Sequence, residues 1–268
     1  MASISLPFPK GLPEQLLGFS TKTYFSLSQT ASYASQLQNP KHKSLLQNDS
    51  STGVFFIPSF PALLLPEVQR LRSHGVVLGA QNCHWEDHGA FTGEVSPAML
   101  KEAGCSIVEL GHAERRRAPF GETDELIAKK AAAVVRNGMI PLVCIGEKNR
   151  GESISQGVGK AIDECQRQIE AVLEAIPGDS DVIFAYEPVW AIGASEPASA
   201  EHVAAVVAFL MKGKGIQQKP AEVRFLYGGS AGPGTWGELK QWTDGLFLGR
   251  FAHDIDALVK TLEEVVKT

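Results

Sequence analysis

Residues 182–187 read VIFAYE, and residues 199–212, after a short connection, read SAEHVAAVVAFLMK. The first run is nearly continuous in apolar and aromatic residues, which is typical of a strand in a parallel sheet that is covered on both faces. The second run repeats its apolar residues at helical spacing, which predicts a helix that packs on such a sheet. A strand followed by a helix is the unit from which parallel α/β folds are built.

The same pair of patterns recurs along the whole chain. Strands are predicted at 15–20, 53–58, 76–81, 106–110, 140–145, 182–187, 223–227 and 245–248. Helices are predicted at 28–37, 63–74, 122–137, 155–176, 199–212 and 254–267, with shorter ones near 97–103 and 235–242. Eight such units in about 250 residues favour an α/β fold, a closed (β/α)8 barrel. The alternative is a doubly wound open sheet, but no G-x-G-x-x-G motif follows the first strand.

The chain shows no change in composition that would mark a second domain. No linker rich in Pro, Ser or Gly divides its 268 residues, and the polar stretch 38–52 is predicted to be a loop. We therefore predict a single domain: a flexible N-terminal tail over residues 1–13, followed by the barrel over residues 14–268. The N-terminus lacks the basic and apolar regions of a signal peptide.

Charge and cysteine usage limit the partners and the compartment. The net charge is −5 and the pI is about 5.8, so neither nucleic acid nor an anionic membrane is an expected partner. No apolar stretch reaches the roughly 20 residues that a membrane-spanning helix needs. Four cysteines without C-x-x-C spacing are typical of reduced thiols, which predicts a cytoplasmic protein.

Reactive side chains and glycine-bearing turns follow the predicted strands at their carboxyl ends, where the chemistry of such barrels takes place. Lys22 follows the first strand, His112 the fourth, and Glu187 ends the sixth. Glycine-bearing turns follow the seventh and eighth strands, and turns that open helices in this way suit a phosphate group.

Glu187 is the most unusual of these residues because it is an acid inside an apolar run. A carboxyl group in such surroundings must be paired, or its pKa must rise. A desolvated carboxylate is a suitable base for removing a proton beside a carbonyl group. His112 could donate a hydrogen bond to the oxygen that develops negative charge, and Lys22 could hold positive charge near it.

At these residues the chain resembles the triosephosphate isomerase family over roughly residues 15–267. The resemblance is carried by long, specific stretches: AQNCHWEDHGAFTGEVSPAMLKEAG (80–104), VELGHAERR (108–116), PLVCIGE (141–147), AYEPVWAIG (185–193) and YGGSAGP (227–233). The resemblance implies a TIM barrel that needs no metal or organic cofactor and is usually a homodimer. It also implies the isomerisation of dihydroxyacetone phosphate and glyceraldehyde 3-phosphate, a reaction of glycolysis and gluconeogenesis.

The resemblance also implies the roles of individual residues. Glu187 matches the catalytic base, His112 the group that polarises the substrate oxygen, Lys22 the active-site lysine, and Glu114 an acid near that lysine. Gly193, Ser230 and Gly249 match backbone donors to the substrate phosphate. Residues 188–199 match a mobile lid whose closure removes water from the base, and residues 82–94 match a loop that enters the neighbouring subunit.

Several departures from the family pattern cluster around the expected substrate. Ser20 stands where the family usually has Asn, Tyr24 replaces a smaller Asn, and Ala194-Ser195-Glu196-Pro197 replaces Thr-Gly-Lys-Thr. Arg250 replaces the second glycine of the last phosphate turn, where it either pairs with the phosphate or points away from it.

Three functions are compatible with this sequence. A small phosphorylated sugar is the expected ligand in each of them. Triosephosphate isomerase is the main expectation for the activity. The alternatives are an isomerase of a four-carbon ketose phosphate such as an erythrulose phosphate, and a barrel that binds a phosphosugar without turnover.

Overall fold

Eight parallel strands close into one barrel in the computed structural model, which describes residues 8, 11–47, 51–194, 197–219 and 221–267. The strands are β1 (Gln15–Ser20), β2 (Thr52–Ile57), β3 (Val76–Ala80), β4 (Ile107–Leu110), β5 (Ile140–Ile145), β6 (Val182–Tyr186), β7 (Val223–Tyr227) and β8 (Gly245–Leu248). Each strand pairs with its neighbours in sequence, and β8 pairs with β1. The predicted single-domain (β/α)8 barrel is therefore confirmed, and the open sheet is excluded.

Helices follow the strands around the outside of the barrel. They are α1 (Leu27–Leu37), α2 (Lys43–Leu46), α3 (Pro66–Arg70), α4 (Pro97–Glu102), α5 (Ala113–Arg116), α6 (Asp124–Arg136), α7 (Ile154–Ala175), α8 (Ala200–Leu210), α9 (Lys214–Gln217), α10 (Thr235–Leu239) and α11 (Ile255–Val266). No helix in the described ranges is long and apolar enough to cross a membrane.

Alternating strand residues build two separate layers of the core. Odd positions of β4 and even positions of β5, such as Ile107 and Leu142, pack inside the barrel. Their neighbours Val108 and Val143 pack outward under the helices. Because both faces are covered, the strands are mostly apolar, as the sequence pattern predicts.

Two local predictions were wrong. The helix predicted at 63–74 is instead a 3-10 turn (Phe60–Leu64), then α3, then a second 3-10 turn (Leu71–His74). Pro66 explains the break, because proline cannot donate the backbone hydrogen bond of a helix interior and is found here at the helix start. The predicted loop 38–52 contains a 3-10 turn (Pro40–His42), α2 and the first residue of β2.

The predicted tail falls partly on packed residues. Residues 1–7, 9 and 10 lie outside the described residues. Phe8 and Leu12 are buried in the inner core layer, and Arg224 donates hydrogen bonds to the carbonyls of Leu12 and Pro13 at 3.1 and 2.8 Å. The packed chain therefore begins before residue 14.

Candidate active site

A cavity of about 940 Å³ opens at the carboxyl ends of the strands. All nine side chains and glycines that were predicted from the sequence line it: Ser20, Lys22, His112, Glu114, Glu187, Gly193, Ser230, Gly249 and Arg250. They lie at the end of β1 or in the loops after β1, β4, β6, β7 and β8, so barrel closure is what brings them together.

Glu187 follows β6 directly and is 4% exposed. Burial raises the pKa of its carboxyl group to about 8, although the positive charge of Lys22 opposes the rise. Oε2 of Glu187 has no hydrogen-bond partner among the described residues. Space for this carboxyl depends on Gly228, since a Cβ there would lie 2.6 Å from Oε1 of Glu187. The site therefore holds a desolvated base with a free oxygen.

His112 is the N-cap residue of α5, and its ring orientation is fixed by the backbone. The N–H of Glu114 donates to Nδ1 of His112 at 3.1 Å, so the ring proton is on Nε2. Nε2 lies 3.5 Å from Oε2 of Glu187. Burial, and then the charge of Lys22, lower the pKa of His112 to about 4, so the ring is neutral at pH 7. A neutral imidazole with Nε2–H facing the cavity is a hydrogen-bond donor to a substrate oxygen.

Lys22 is held in a strained backbone conformation, with φ of 45° at a residue that is not glycine. The amide of Gln81 donates to the carbonyl of Lys22 at 2.8 Å, and Nζ of Lys22 donates to Oε1 of Glu114 at 2.9 Å. Burial lowers the pKa of Lys22, but the hydrogen bond and charge of Glu114 outweigh it and the net pKa is raised. Lys22 therefore carries a fixed positive charge beside Glu187.

The loops on the opposite side of the cavity are joined to one another. Oγ of Ser230 donates to the carbonyls of Ala191 and Ala194 at 3.0 and 3.2 Å. Nη2 of Arg250 donates to the carbonyl of Gly193 at 3.1 Å. Arg250 was expected either to pair with the phosphate or to point away from it. Its side chain instead contacts a carbonyl of the predicted lid.

The predicted lid, residues 188–199, contains a 3-10 turn (Val189–Ala191) and is attached at both of its ends. Nε1 of Trp190 donates to Oε1 of Glu147 at 2.7 Å, and the N–H of Ala198 donates to the hydroxyl of Tyr227 at 3.1 Å. Residues 195 and 196, which include the unusual Glu196, lie outside the described residues.

Two acids of this region are not among the residues singled out from the sequence. Glu147 is buried beneath the lid, where its carboxylate accepts hydrogen bonds from Tyr186 and Trp190 and lies 3.1 Å from Nε2 of His202. Glu109 lies in the middle of β4, 4% exposed, and lines the cavity. The signal that identified Glu187, an acid inside an apolar run, is also present at Glu109.

These contacts describe the chemistry that the cavity can carry out. Glu187 is placed to accept a proton, His112 to donate a hydrogen bond, and Lys22 to stabilise negative charge on the same small molecule. No cluster of three or more metal-binding side chains occurs in the described ranges. A desolvated acid, a neutral imidazole and a fixed positive charge in one cavity of a (β/α)8 barrel are the arrangement expected of an enzyme that moves protons on a small ligand.

The comparisons with known proteins agree with this class. The sequence profile of the Triosephosphate isomerase family matches residues 15–265, so the chain belongs to that family and is an isomerase. A protein of Pectobacterium atrosepticum named L-erythrulose-1-phosphate isomerase is 45% identical over 251 residues, covering 92% of this chain and 94% of that protein. Proteins with the same name from Rhizobium etli and Mesorhizobium japonicum are 41% and 43% identical, covering 93% and 78% of this chain and 91% and 82% of theirs.

Proposed function

We propose that the protein isomerises a four-carbon ketose phosphate, L-erythrulose 1-phosphate, through an enediolate intermediate. The observation that carries the proposal is the similarity, over nine tenths of both chains, to two relatives named L-erythrulose-1-phosphate isomerase. The cavity supports it, because the three reactive side chains match the family while Ser20, Tyr24 and Arg250 around them do not. The alternative substrate considered from the sequence is therefore favoured over the main expectation of a triose phosphate.

The structure of this substrate determines the type of isomerisation. L-erythrulose 1-phosphate carries its phosphate on C1, the carbonyl group at C2, a hydroxyl at C3 and a hydroxymethyl group at C4. Removing the proton from C3 gives an enediolate across C2 and C3, and returning a proton to C2 leaves the carbonyl at C3. The product, renumbered from its other end, is erythrulose 4-phosphate. The reaction therefore converts one ketose into another, whereas a triose phosphate would give an aldose.

Each reactive side chain has one task in this reaction. The carboxylate of Glu187 takes the proton from C3 and returns it to C2. Nε2–H of His112 gives its proton to the oxygen on C2 and takes the proton of the hydroxyl on C3, which balances the movement of the carbonyl group from C2 to C3. Lys22 stabilises the negative charge on the enediolate oxygens. We assign the phosphate to the side of the cavity formed by Gly193, Ser230 and Gly249. Closure of the lid over this group would exclude water from the enediolate.

A substrate comparison in deuterated water tests this function. The purified protein is incubated separately with L-erythrulose 1-phosphate and with dihydroxyacetone phosphate, and products and deuterium uptake are followed by NMR. We expect rapid formation of erythrulose 4-phosphate and slower turnover of the triose. Faster turnover of dihydroxyacetone phosphate would instead identify a triosephosphate isomerase. Because the chain belongs to an isomerase family, binding without turnover is the least supported of the three functions.

We further propose that the protein is a cytoplasmic homodimer. All four cysteines are free and buried, which suits a reducing compartment. Phe91 lies in the loop of residues 82–94 and is 40% exposed. The family resemblance implies that this loop enters the neighbouring subunit. Sedimentation equilibrium of the wild type and of Phe91→Asp would test the dimer, because the aspartate should favour monomers.

A further inference from the structure

Glu109 is an acid on the inner surface of a mainly apolar barrel. Its side chain lies on the same face of β4 as Ile107, and the facing residues of β5 are Leu142 and Cys144. The residue is 4% exposed and lines the cavity that holds Glu187 and His112. Glu109 is therefore part of the floor of the candidate active site.

The protein offers Glu109 little compensation for its burial. Its one side-chain hydrogen bond among the described residues is weak, since Sγ of Cys144 lies 4.0 Å from Oε1. Lys22 is paired with Glu114 rather than with Glu109. Burial, and then the negative charge of Glu187, raise the pKa of Glu109 to about 8. At pH 7 this side chain is a neutral carboxylic acid, which can both donate and accept a hydrogen bond.

An acid with these surroundings does not stabilise the fold. A leucine or isoleucine, like its neighbours on the inner face, would pack in the barrel without the cost of desolvating a carboxyl group. Its hydrogen-bonding capacity is available to a ligand in the cavity, because the weak contact with the thiol of Cys144 is the one side-chain hydrogen bond that it makes among the described residues.

The position of Glu109 in the barrel indicates which part of a ligand it faces. Strands β4 and β8 are four positions apart in a closed ring of eight, so they lie on opposite sides. Gly249 follows β8 and Ser230 follows β7, which places the proposed phosphate position on the side away from β4. A substrate bound there extends its unphosphorylated end towards β4. In L-erythrulose 1-phosphate that end is the C4 hydroxymethyl group, which a triose phosphate lacks.

We propose that Glu109 binds the C4 hydroxyl of the four-carbon substrate and is the residue that selects it over a triose phosphate. This inference rests on the proposed function and assigns one group of its substrate to one side chain. The carboxylic acid donates to, or accepts from, the terminal hydroxyl while Glu187 acts on the adjacent C3. A site that hydrogen-bonds a substrate hydroxyl discriminates strongly against analogues that lack it, because its buried polar group is then left unpaired.

Two variants of Glu109 and one substrate analogue test this assignment. Glu109→Leu removes the hydrogen-bonding group, and Glu109→Gln keeps a neutral donor and acceptor of similar size. Ile107→Val, one layer deeper on the same face and outside the cavity lining, is the matched control for repacking the barrel interior. For each protein kcat/KM is measured with L-erythrulose 1-phosphate, with its 4-deoxy analogue and with dihydroxyacetone phosphate.

We expect Glu109→Leu to lower kcat/KM for L-erythrulose 1-phosphate about 10–100-fold and to change that for the two other substrates less than about threefold. Glu109→Gln and Ile107→Val should keep the wild-type preference. An equal loss on all three substrates in Glu109→Leu would overturn the inference and leave the proposed function intact. A wild type that prefers dihydroxyacetone phosphate would overturn both.

Discussion

The rate of the isomerisation should depend on the ionisation of Glu187, because only its carboxylate form can accept a proton. Burial raises the pKa of this group to about 8, with Lys22 opposing the rise. At that pKa roughly 10% of the side chain is ionised at pH 7 and roughly 90% at pH 9. We therefore expect kcat/KM to increase about tenfold between pH 7 and pH 9.

Two other groups could affect such a profile, and each can be separated from Glu187. The pKa of His112 is lowered to about 4, so its ring stays neutral throughout this range. The pKa of Glu109 is also raised to about 8, so Glu109→Gln serves as the control that removes this second titration.

The assay is the initial rate at low substrate concentration from pH 7 to pH 9, above the phosphate ionisation near pH 6. The rising limb should persist in Glu109→Gln. A flat profile in both proteins would refute the claim that desolvation sets the basicity of Glu187.

Three further results are expected. Glu187→Asp withdraws the carboxylate by one methylene group and should lower kcat about 100-fold or more at an unchanged circular dichroism spectrum; a retained kcat would contradict its role as the base. Arg250→Ala removes the hydrogen bond to the lid carbonyl of Gly193 and should raise KM about threefold with little change in kcat, whereas an unchanged KM would show that this contact is idle. Glu109 should destabilise the fold as pH rises from about 4.5 to about 8, since the unfolded chain loses this proton first and the folded protein keeps it. In urea unfolding, the free energy of unfolding of the wild type should therefore fall relative to that of Glu109→Gln by up to about 1.4 kcal/mol per pH unit across that range. If the free energy of unfolding had the same pH dependence in both proteins, the raised pKa would be contradicted.

Much of the barrel could be predicted from local sequence because its signals are local. The apolar run of β5, for example, was predicted with its observed bounds, Ile140–Ile145. The helix predicted across Pro66 failed because the apolar spacing was weighed above the missing backbone donor of proline. The short helix α2 was missed because one turn of helix leaves too few residues to show a periodic pattern.

Some residues of the candidate site could be predicted from the sequence and others could not. Glu187 stands out in sequence because an acid between apolar residues and a proline is rare in a strand. Glu109 carries the same signal, but its importance depends on which face of β4 it occupies. A strand that is apolar on both faces gives no alternation from which that face could be read.

The sequence by itself determined the eight strand–helix units, the family, and the reactive residue types at the strand ends, because periodicity and motif are properties of neighbouring residues. Only the tertiary structure decided that Arg250 contacts the lid and that Glu109 shares a cavity with Glu187. These contacts join residues that are distant in sequence, and the closure of β8 onto β1 fixes the distances between them. The apolar run around Glu187 already predicted that its pKa would rise, but the burial that raises the pKa of both acids follows from that closure.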